Sequence, residues 1–202
     1  MIKGQILRVR GFEVHQGFLD VATQIAVLDD LRAVIAAAPM VHPVTAGGRA
    51  MSVRMTSAGR VGWVSDLRGY RYAPVQGSGA PWPKIPCSLL SLWHDLGPKR
   101  RPDCCLINFY GVGARMGLHQ DRDEGDFSWP VISVSLGDPG LFRMGNVEKG
   151  GPTDSLWLDS GDVVVMGGDA RLAHHGVDRI RFGTSRVLPR GGRVNVTLRV
   201  VA

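Results

Sequence analysis

The run Arg193-Val194-Asn195-Val196-Thr197-Leu198-Arg199 alternates polar and apolar residues without a break. It reads as a β-strand with Arg193, Asn195, Thr197 and Arg199 on one face and Val194, Val196, Leu198 and Val200 on the other. Two arginines and an amide in a row could hold an anion, although an ordinary half-exposed strand shows the same alternation. Working back from this run, Cys104 to Tyr110, Val131 to Leu136, Ser155 to Leu158 and Asp162 to Met166 are short apolar segments separated by Gly, Pro and Asp. The strand itself extends to Val201. Such closely spaced strands predict an antiparallel barrel or sandwich rather than alternating βαβ units.

Metal chemistry enters with His119, Asp121 and His175. Residues two apart on a strand project from the same face. His119 and Asp121 can therefore present an imidazole nitrogen and a carboxylate oxygen side by side, and a histidine from a distant strand can complete one face of an octahedron. Two histidines and a carboxylate leave coordination positions free, which suits Fe(II) that must also take an oxidisable cosubstrate and O2. Zinc is compatible with the same ligands. An H-x-D pair also occurs as a plain surface pair, and a single histidine as a core residue, so the arginine-bearing strand adds weight to the metal reading. His174 competes with His175, and neighbouring strand residues face opposite ways, so only one of them can point at a metal.

Several segments, taken together, resemble the AlkB family of Fe(II)- and 2-oxoglutarate-dependent dioxygenases. They are Asn108-Phe109-Tyr110, Leu118-His119-Gln120-Asp121-Arg122-Asp123-Glu124, Ser133-Val134-Ser135-Leu136-Gly137, Gly161-Asp162-Val163-Val164-Val165, His175-Gly176 and Arg193 to Arg199. The likeness runs from about Met51 to the C-terminus. Many oxygenases share H-x-D with a distant histidine; the N-x-Y before it and the R-x-N-x-x-x-R after it are more specific.

The resemblance implies a mainly β chain with flanking helices (α+β) around a double-stranded β-helix, a jelly roll of the cupin kind. One dioxygenase domain would span 1–202, with helical support in 1–50, nucleotide-recognition loops and hairpins in 51–86, and the β-helix core in 104–202. The implied iron ligands are His119, Asp121 and His175, the last chosen over His174 because it stands immediately before Gly176. The implied cosubstrate, 2-oxoglutarate, would be held by Asn108, Tyr110, Arg193, Asn195 and Arg199. Arg193 and Tyr110 would take its distal carboxylate and Arg199 the carboxylate beside the metal, since arginine suits bidentate carboxylate binding. At the base pocket Trp63 would stack on a flipped base, Tyr72 would bond a phosphate, and Asp123 would face an exocyclic amine or a cationic base. Lys149 stands where some relatives use arginine, which keeps the charge and loses the planar fork.

The activity so implied is oxidative dealkylation of N1-methyladenine and N3-methylcytosine in single-stranded DNA. It consumes O2 and 2-oxoglutarate and releases succinate, CO2 and formaldehyde. An RNA or tRNA demethylase, or an oxygenase acting on protein or a small molecule, would keep the same core and differ around Trp63, Tyr72 and the neighbouring loops. A binding module without iron chemistry would be expected to lack a ligand or an arginine, and here every matching position is filled.

Composition agrees. At 202 residues the chain fits one domain that can bury a substantial core. Lys plus Arg is 24 against 18 for Asp plus Glu, a formal charge of +6, which favours contact with a polyanion. Cys87, Cys104 and Cys105 form no C-x-x-C pair and read as buried, reduced thiols. With no signal-peptide core and no apolar span of ~20 residues, a cytoplasmic monomer without membrane contact is expected.

Apolar spacing predicts helices over Phe18 to Ala38 and Ser88 to Leu96, both as scaffold. Between them, Trp63, Tyr70, Tyr72 and Trp82 are interleaved with Arg49, Arg54, Arg60, Arg68, Arg71 and Lys84. This pattern serves either base stacking with phosphate neutralisation or hairpins packed on the core. Gln76 to Pro83 reads as a mobile loop, and Asp178 to Gly192 as a basic connection. Gly111 to Gly117 only loosely resembles a dinucleotide loop, its third glycine falling one residue late. No G-x-S-x-G is present.

Overall fold

A computed structural model describes residues 4–202. The chain opens with a hairpin, β1 (Ile6–Val9) and β2 (Phe12–His15), followed by α1 (Val21–Ala37). Helix α1 begins three residues later than periodicity predicts, because the Asp20 carboxylate accepts from the Thr23 amide at 2.8 Å and so ends the non-helical approach there. Strands β3 (Arg54–Gly59), β4 (Gly62–Asp66) and β5 (Gly69–Ala73) lead to α2 (Cys87–Asp95). Eight strands follow: β6 (Cys104–Tyr110), β7 (Met116–His119), β8 (Val131–Gly137), β9 (Gly140–Met144), β10 (Asp154–Leu158), β11 (Val163–Met166), β12 (His175–Ile180) and β13 (Arg193–Arg199).

The strands form a seven-stranded sheet in the order β1-β2-β11-β8-β13-β6-β3, a four-stranded sheet in the order β10-β9-β12-β7, and the separate hairpin β4-β5. Their pairings are antiparallel, and the result is the jelly-roll core with two flanking helices. The faces of β13 explain the layering. Val194, Val196 and Leu198 pack with Leu28, Leu31, Leu89, Leu92 and Trp93 of the helices in one apolar cluster. A second cluster, including Phe12, Leu106, Tyr110, Phe142, Met144, Val164 and Val177, fills the space between the sheets. Each fully buried aliphatic side chain contributes about 1.5–3 kcal/mol, and truncating Leu31 to Ala would cost about 2–5 kcal/mol.

The half-exposed reading of β13 is overturned: all seven residues are buried. Its polar face points between two sheets, where each charged group must find a partner. The helical reading of 1–50 also omitted the β1-β2 hairpin, which enters the large sheet through β2 and β11. Strands of four residues are too short to show an alternation above background. The 51–86 segment divides, β3 pairing with β6 in the large sheet while β4-β5 stands apart. The loop at 76–83 is stitched by Gln76 to the carbonyls of Ala80 and Pro81 through backbone and side chain, and the Trp82 indole donates to the Ala73 carbonyl. Cys104 and Cys105 are buried free thiols as expected; Cys87, at the start of α2, is exposed. Among the described residues no helix is long and apolar enough to cross a membrane.

Candidate metal centre and cosubstrate pocket

His119 closes β7, His175 opens β12, and the two are register partners. The pairing holds their rings 4.6 Å apart. Asp121 does not sit two residues along the same strand, as the i, i+2 reading supposed. β7 ends at His119, and the Gln120 amide turns away to donate to the carbonyls of Val147 at 3.0 Å and Leu172 at 2.5 Å. The irregular segment beyond returns the Asp121 carboxylate to the histidines. Its Oδ1 lies 3.7 Å from His119 Nε2 and its Oδ2 3.6 Å from His175 Nε2, and one ligand atom from each residue falls within 4.8 Å of the other two.

The histidines are aimed by their own backbones. His119 Nδ1 lies 2.9 Å from the Gly117 carbonyl and His175 Nδ1 3.0 Å from that of Ala173. A carbonyl only accepts, so each Nδ1 carries the proton and each Nε2 turns a lone pair towards the cluster. Burial, reinforced by the neighbouring His175, pushes His119 down to about 4, so its ring is neutral at physiological pH. Burial opposes ionisation of Asp121, but Arg199 and the two imidazoles outweigh it and hold the carboxyl well below the usual range. His174 stays outside: it belongs neither to the group whose ligand atoms converge nor to the lining of the cavity beside it, and its Nδ1 lies 3.0 Å from the Asn146 carbonyl.

A cavity of about 760 Å³ opens onto these ligands and is lined by Asn108, Tyr110, Arg193, Asn195 and Arg199 among others. Arg193 and Asn195 are register partners of Tyr110 and Asn108 across β13 and β6, so ladder geometry assembles the set. Arg193 is fully buried. It donates from Nη2 to Ser135 Oγ at 2.7 Å and from Nη1 to the Leu158 carbonyl at 3.2 Å. Its Nε has no partner and no carboxylate among the described residues pairs with it. Burial pushes the guanidinium down to about 10 against the opposing charges of Tyr110, Asp162 and Asp159, and burial also raises the Tyr110 phenol. Asn108 Oδ1, Thr197 Oγ1 and Arg199 Nε are likewise buried without hydrogen-bond partners.

At the mouth, the Trp63 ring stacks on Tyr70 at 5.4 Å between centroids, and its indole donates to Asp123 Oδ2 at 2.8 Å. Tyr72 is not available to a phosphate as the sequence reading had it. Its phenol is turned inward, donating to buried Glu124 and accepting from Arg199 Nη1 at 3.2 Å, because one oxygen can bridge a buried carboxylate and a guanidinium. Lys149 is exposed on the loop after β9 and does not line the cavity.

The sequence and the fold have counterparts in known proteins. Residues 11–199 match the model of the 2OG-Fe(II) oxygenase superfamily. An alpha-ketoglutarate-dependent dioxygenase AlkB homolog of Caulobacter vibrioides is 52% identical over 98% of this chain and 91% of its own length. AlkB of Escherichia coli is 41% identical over 76% of this chain and 74% of its own. The solved structure of OsALKBH1 superposes with a TM-score of 0.79 at 28% identity, covering 97% of this chain and 100% of that one. The chain belongs to the AlkB family of Fe(II)- and 2-oxoglutarate-dependent dioxygenases.

Membership in the AlkB family makes Fe(II), 2-oxoglutarate and O2 the requirements of the reaction. The side chains fit both groups. Two imidazoles and a carboxylate are a donor set that Fe(II) accepts with open positions, and a buried Arg193 without a carboxylate partner is the complement of a dicarboxylate's free end. Three AlkB-site residues escaped the sequence reading: Ser135, Glu124 and Arg171. Ser135 and Glu124 lie inside motifs that carried the resemblance, whereas Arg171 contacts Asp121, Glu124 and Trp129 across 42 to 50 residues, a separation at which sequence carries no signal.

Proposed function

We propose that this AlkB-family enzyme oxidatively dealkylates nucleobases, with N1-methyladenine and N3-methylcytosine in single-stranded DNA as substrates, and acts as a monomer. In this reading His119, Asp121 and His175 hold Fe(II). Arg193 and Tyr110 hold the distal carboxylate of 2-oxoglutarate, Arg199 lies by the carboxylate near the metal, and Asn108 and Asn195 fill the wall between. The bound metal supplies oxidation of an N-alkyl group at the expense of O2 and 2-oxoglutarate, which leaves as succinate and CO2; the hydroxylated methyl is then lost as formaldehyde.

The observation that carries the reading is the mouth of the cavity. Trp63 and Tyr70 offer an aromatic platform, Asp123 holds the indole and faces the opening, and Arg49, Arg115 and Arg122 line the same cavity. An aromatic platform stacks a base, arginines neutralise phosphates, and a carboxylate favours the cationic methylated bases over their neutral parents. The methyl group of these lesions sits on the base-pairing edge, so the nucleotide must be unpaired or flipped. Named relatives support a nucleic-acid substrate: human nucleic acid dioxygenase ALKBH1 is 32% identical over 40% of this chain, and the Arabidopsis DNA N(6)-methyladenine demethylase ALKBH1A is 41% identical over 43%. A tRNA demethylase is the second reading, since stacking and phosphate contact do not distinguish the two sugars.

Formaldehyde and succinate measured in parallel on methylated single-stranded DNA, duplex DNA and tRNA test the proposal. Stoichiometric release, fastest on single-stranded DNA, is expected. Succinate without formaldehyde on all three would replace it with a protein or small-molecule oxygenase.

A further inference from the structure

We propose that Arg171 is a positioning residue that locks the segment carrying Asp121 against the segment carrying His175 and keeps Arg199 on Asp121. This rests on His119, Asp121 and His175 being the metal ligands. Residues 120–130 contain neither helix nor strand, so no sheet ladder fixes the Asp121 backbone. Arg171 substitutes for one. It follows the short 3-10 turn Gly168–Ala170, four residues before His175, and is 4% exposed. Its Nη1 donates to the Asp121 carbonyl at 2.7 Å, its Nε to the Trp129 carbonyl at 2.9 Å, and its Nη2 to Glu124 Oε2 at 3.0 Å. The guanidinium also lies 5.1 Å from the Phe127 ring centroid. One side chain thus holds the beginning, middle and end of the irregular segment.

Glu124 carries the restraint onward. Its side chain is fully buried, and its Oε1 accepts from Tyr72 and from Arg199 Nη1 at 3.3 Å. Arg199 Nη2 in turn lies 2.9 Å from Asp121 Oδ2. The two arginines share one carboxylate, and the buried group of Arg171, Glu124, Arg199 and Asp121 is neutral. Without Arg171, Glu124 has Arg199 alone for a charge partner and draws it away from Asp121, while the Asp121 carbonyl loses its donor. Lysine cannot replace a planar fork that reaches two carbonyls and a carboxylate.

Mn(II) affinity of the full chain in the presence of 2-oxoglutarate, read from the resonance of the free ion, tests this independently of turnover. Thermal melting of the metal-free protein runs alongside. Arg171→Lys is expected to fold and to bind Mn(II) at least ~10-fold more weakly, the size typical of losing an outer-sphere partner. Guanidinium ion added to Arg171→Ala is expected to recover affinity. Arg171→Met with Glu124→Leu removes both buried charges together, which restores stability and is expected to leave Mn(II) binding impaired. Parental affinity in both Arg171→Lys and the double variant would overturn the proposal and leave Arg171 a residue of the fold alone. Asp121→Ala with unchanged Mn(II) affinity would show instead that the ligand assignment beneath it is wrong.

Discussion

The deep end of the cavity and its mouth are built on opposite terms. At the deep end, Arg193, Tyr110, Asn108 and Asn195 stand on the two adjacent strands β13 and β6, all buried. The connection leading to them is pinned by Asp138, whose buried carboxylate accepts from the amides of Gly183, Thr184, Ser185 and Gly192 at 2.6–2.9 Å. At the mouth, Trp63 and Tyr70 belong to a two-stranded sheet separate from the other two, while Asp123 lies on an exposed loop. A charged group out of water must be held by partners or by its ligand, so the deep end tolerates little change. A mouth that stays solvated can change its side chains at small cost, and it is there that the proposed substrate contacts lie.

Variants at the two ends should separate along this line, the largest effects falling on the metal. Asp121→Ala is expected to abolish metal-dependent succinate formation, beyond the ~10–100-fold that even outer partners of a ligand are worth. His175→Ala should match it and His174→Ala should not; equal turnover by Asp121→Ala and the parent would remove the metal assignment. Next, Arg193→Ala loses charge-assisted bonds worth about 1.5–3 kcal/mol and should weaken 2-oxoglutarate at least tenfold in a calorimetric titration. The rise in melting temperature that 2-oxoglutarate gives the Mn(II)-loaded parent should shrink with it.

At the mouth, Trp63→Ala should lose about 1–3 kcal/mol of base stacking, slowing formaldehyde release while the calorimetric affinity for 2-oxoglutarate stays put. A parallel loss of both would erase the contrast between the two ends. The smallest effect concerns pH. His119 takes up a proton at about 4 when folded and near its ordinary value of 6.5 when unfolded. The unfolded chain therefore binds more protons between those values, and the metal-free fold should lose stability as pH falls from about 6.5 towards 4. Melting curves across that window should show a drop that His119→Gln lessens.

The same division governs what could be read from the residues alone. The β13 alternation named the right residues for each face, but its polar face passed equally well for a solvent face, because period two reports which residues lie together and not what lies opposite them. His119 and Asp121 were legible as neighbours, yet their convergence comes from a turn after β7 and from Gln120 facing away. Tyr72 was legible as part of a basic, aromatic hairpin; its inward phenol depends on Glu124, 52 residues away. The β1-β2 hairpin and the Arg171 contacts were not legible at all.

By itself the sequence determined the chemistry available: two histidines and a carboxylate for a metal, paired arginines for a dicarboxylate, closely spaced strands that suit a barrel or sandwich, and the motif order of the AlkB family, whose resemblance selects the jelly roll. Only the tertiary structure decided that the arginine face of β13 looks into a cavity rather than into solvent, that Asp121 returns to the two histidines from beyond the end of β7, and that a single buried guanidinium spans the irregular segment after it. The physical reason is one of range. Strand parity and residue type act over a few positions, whereas burial, ion pairing and pKa depend on what distant segments bring to the same few ångströms.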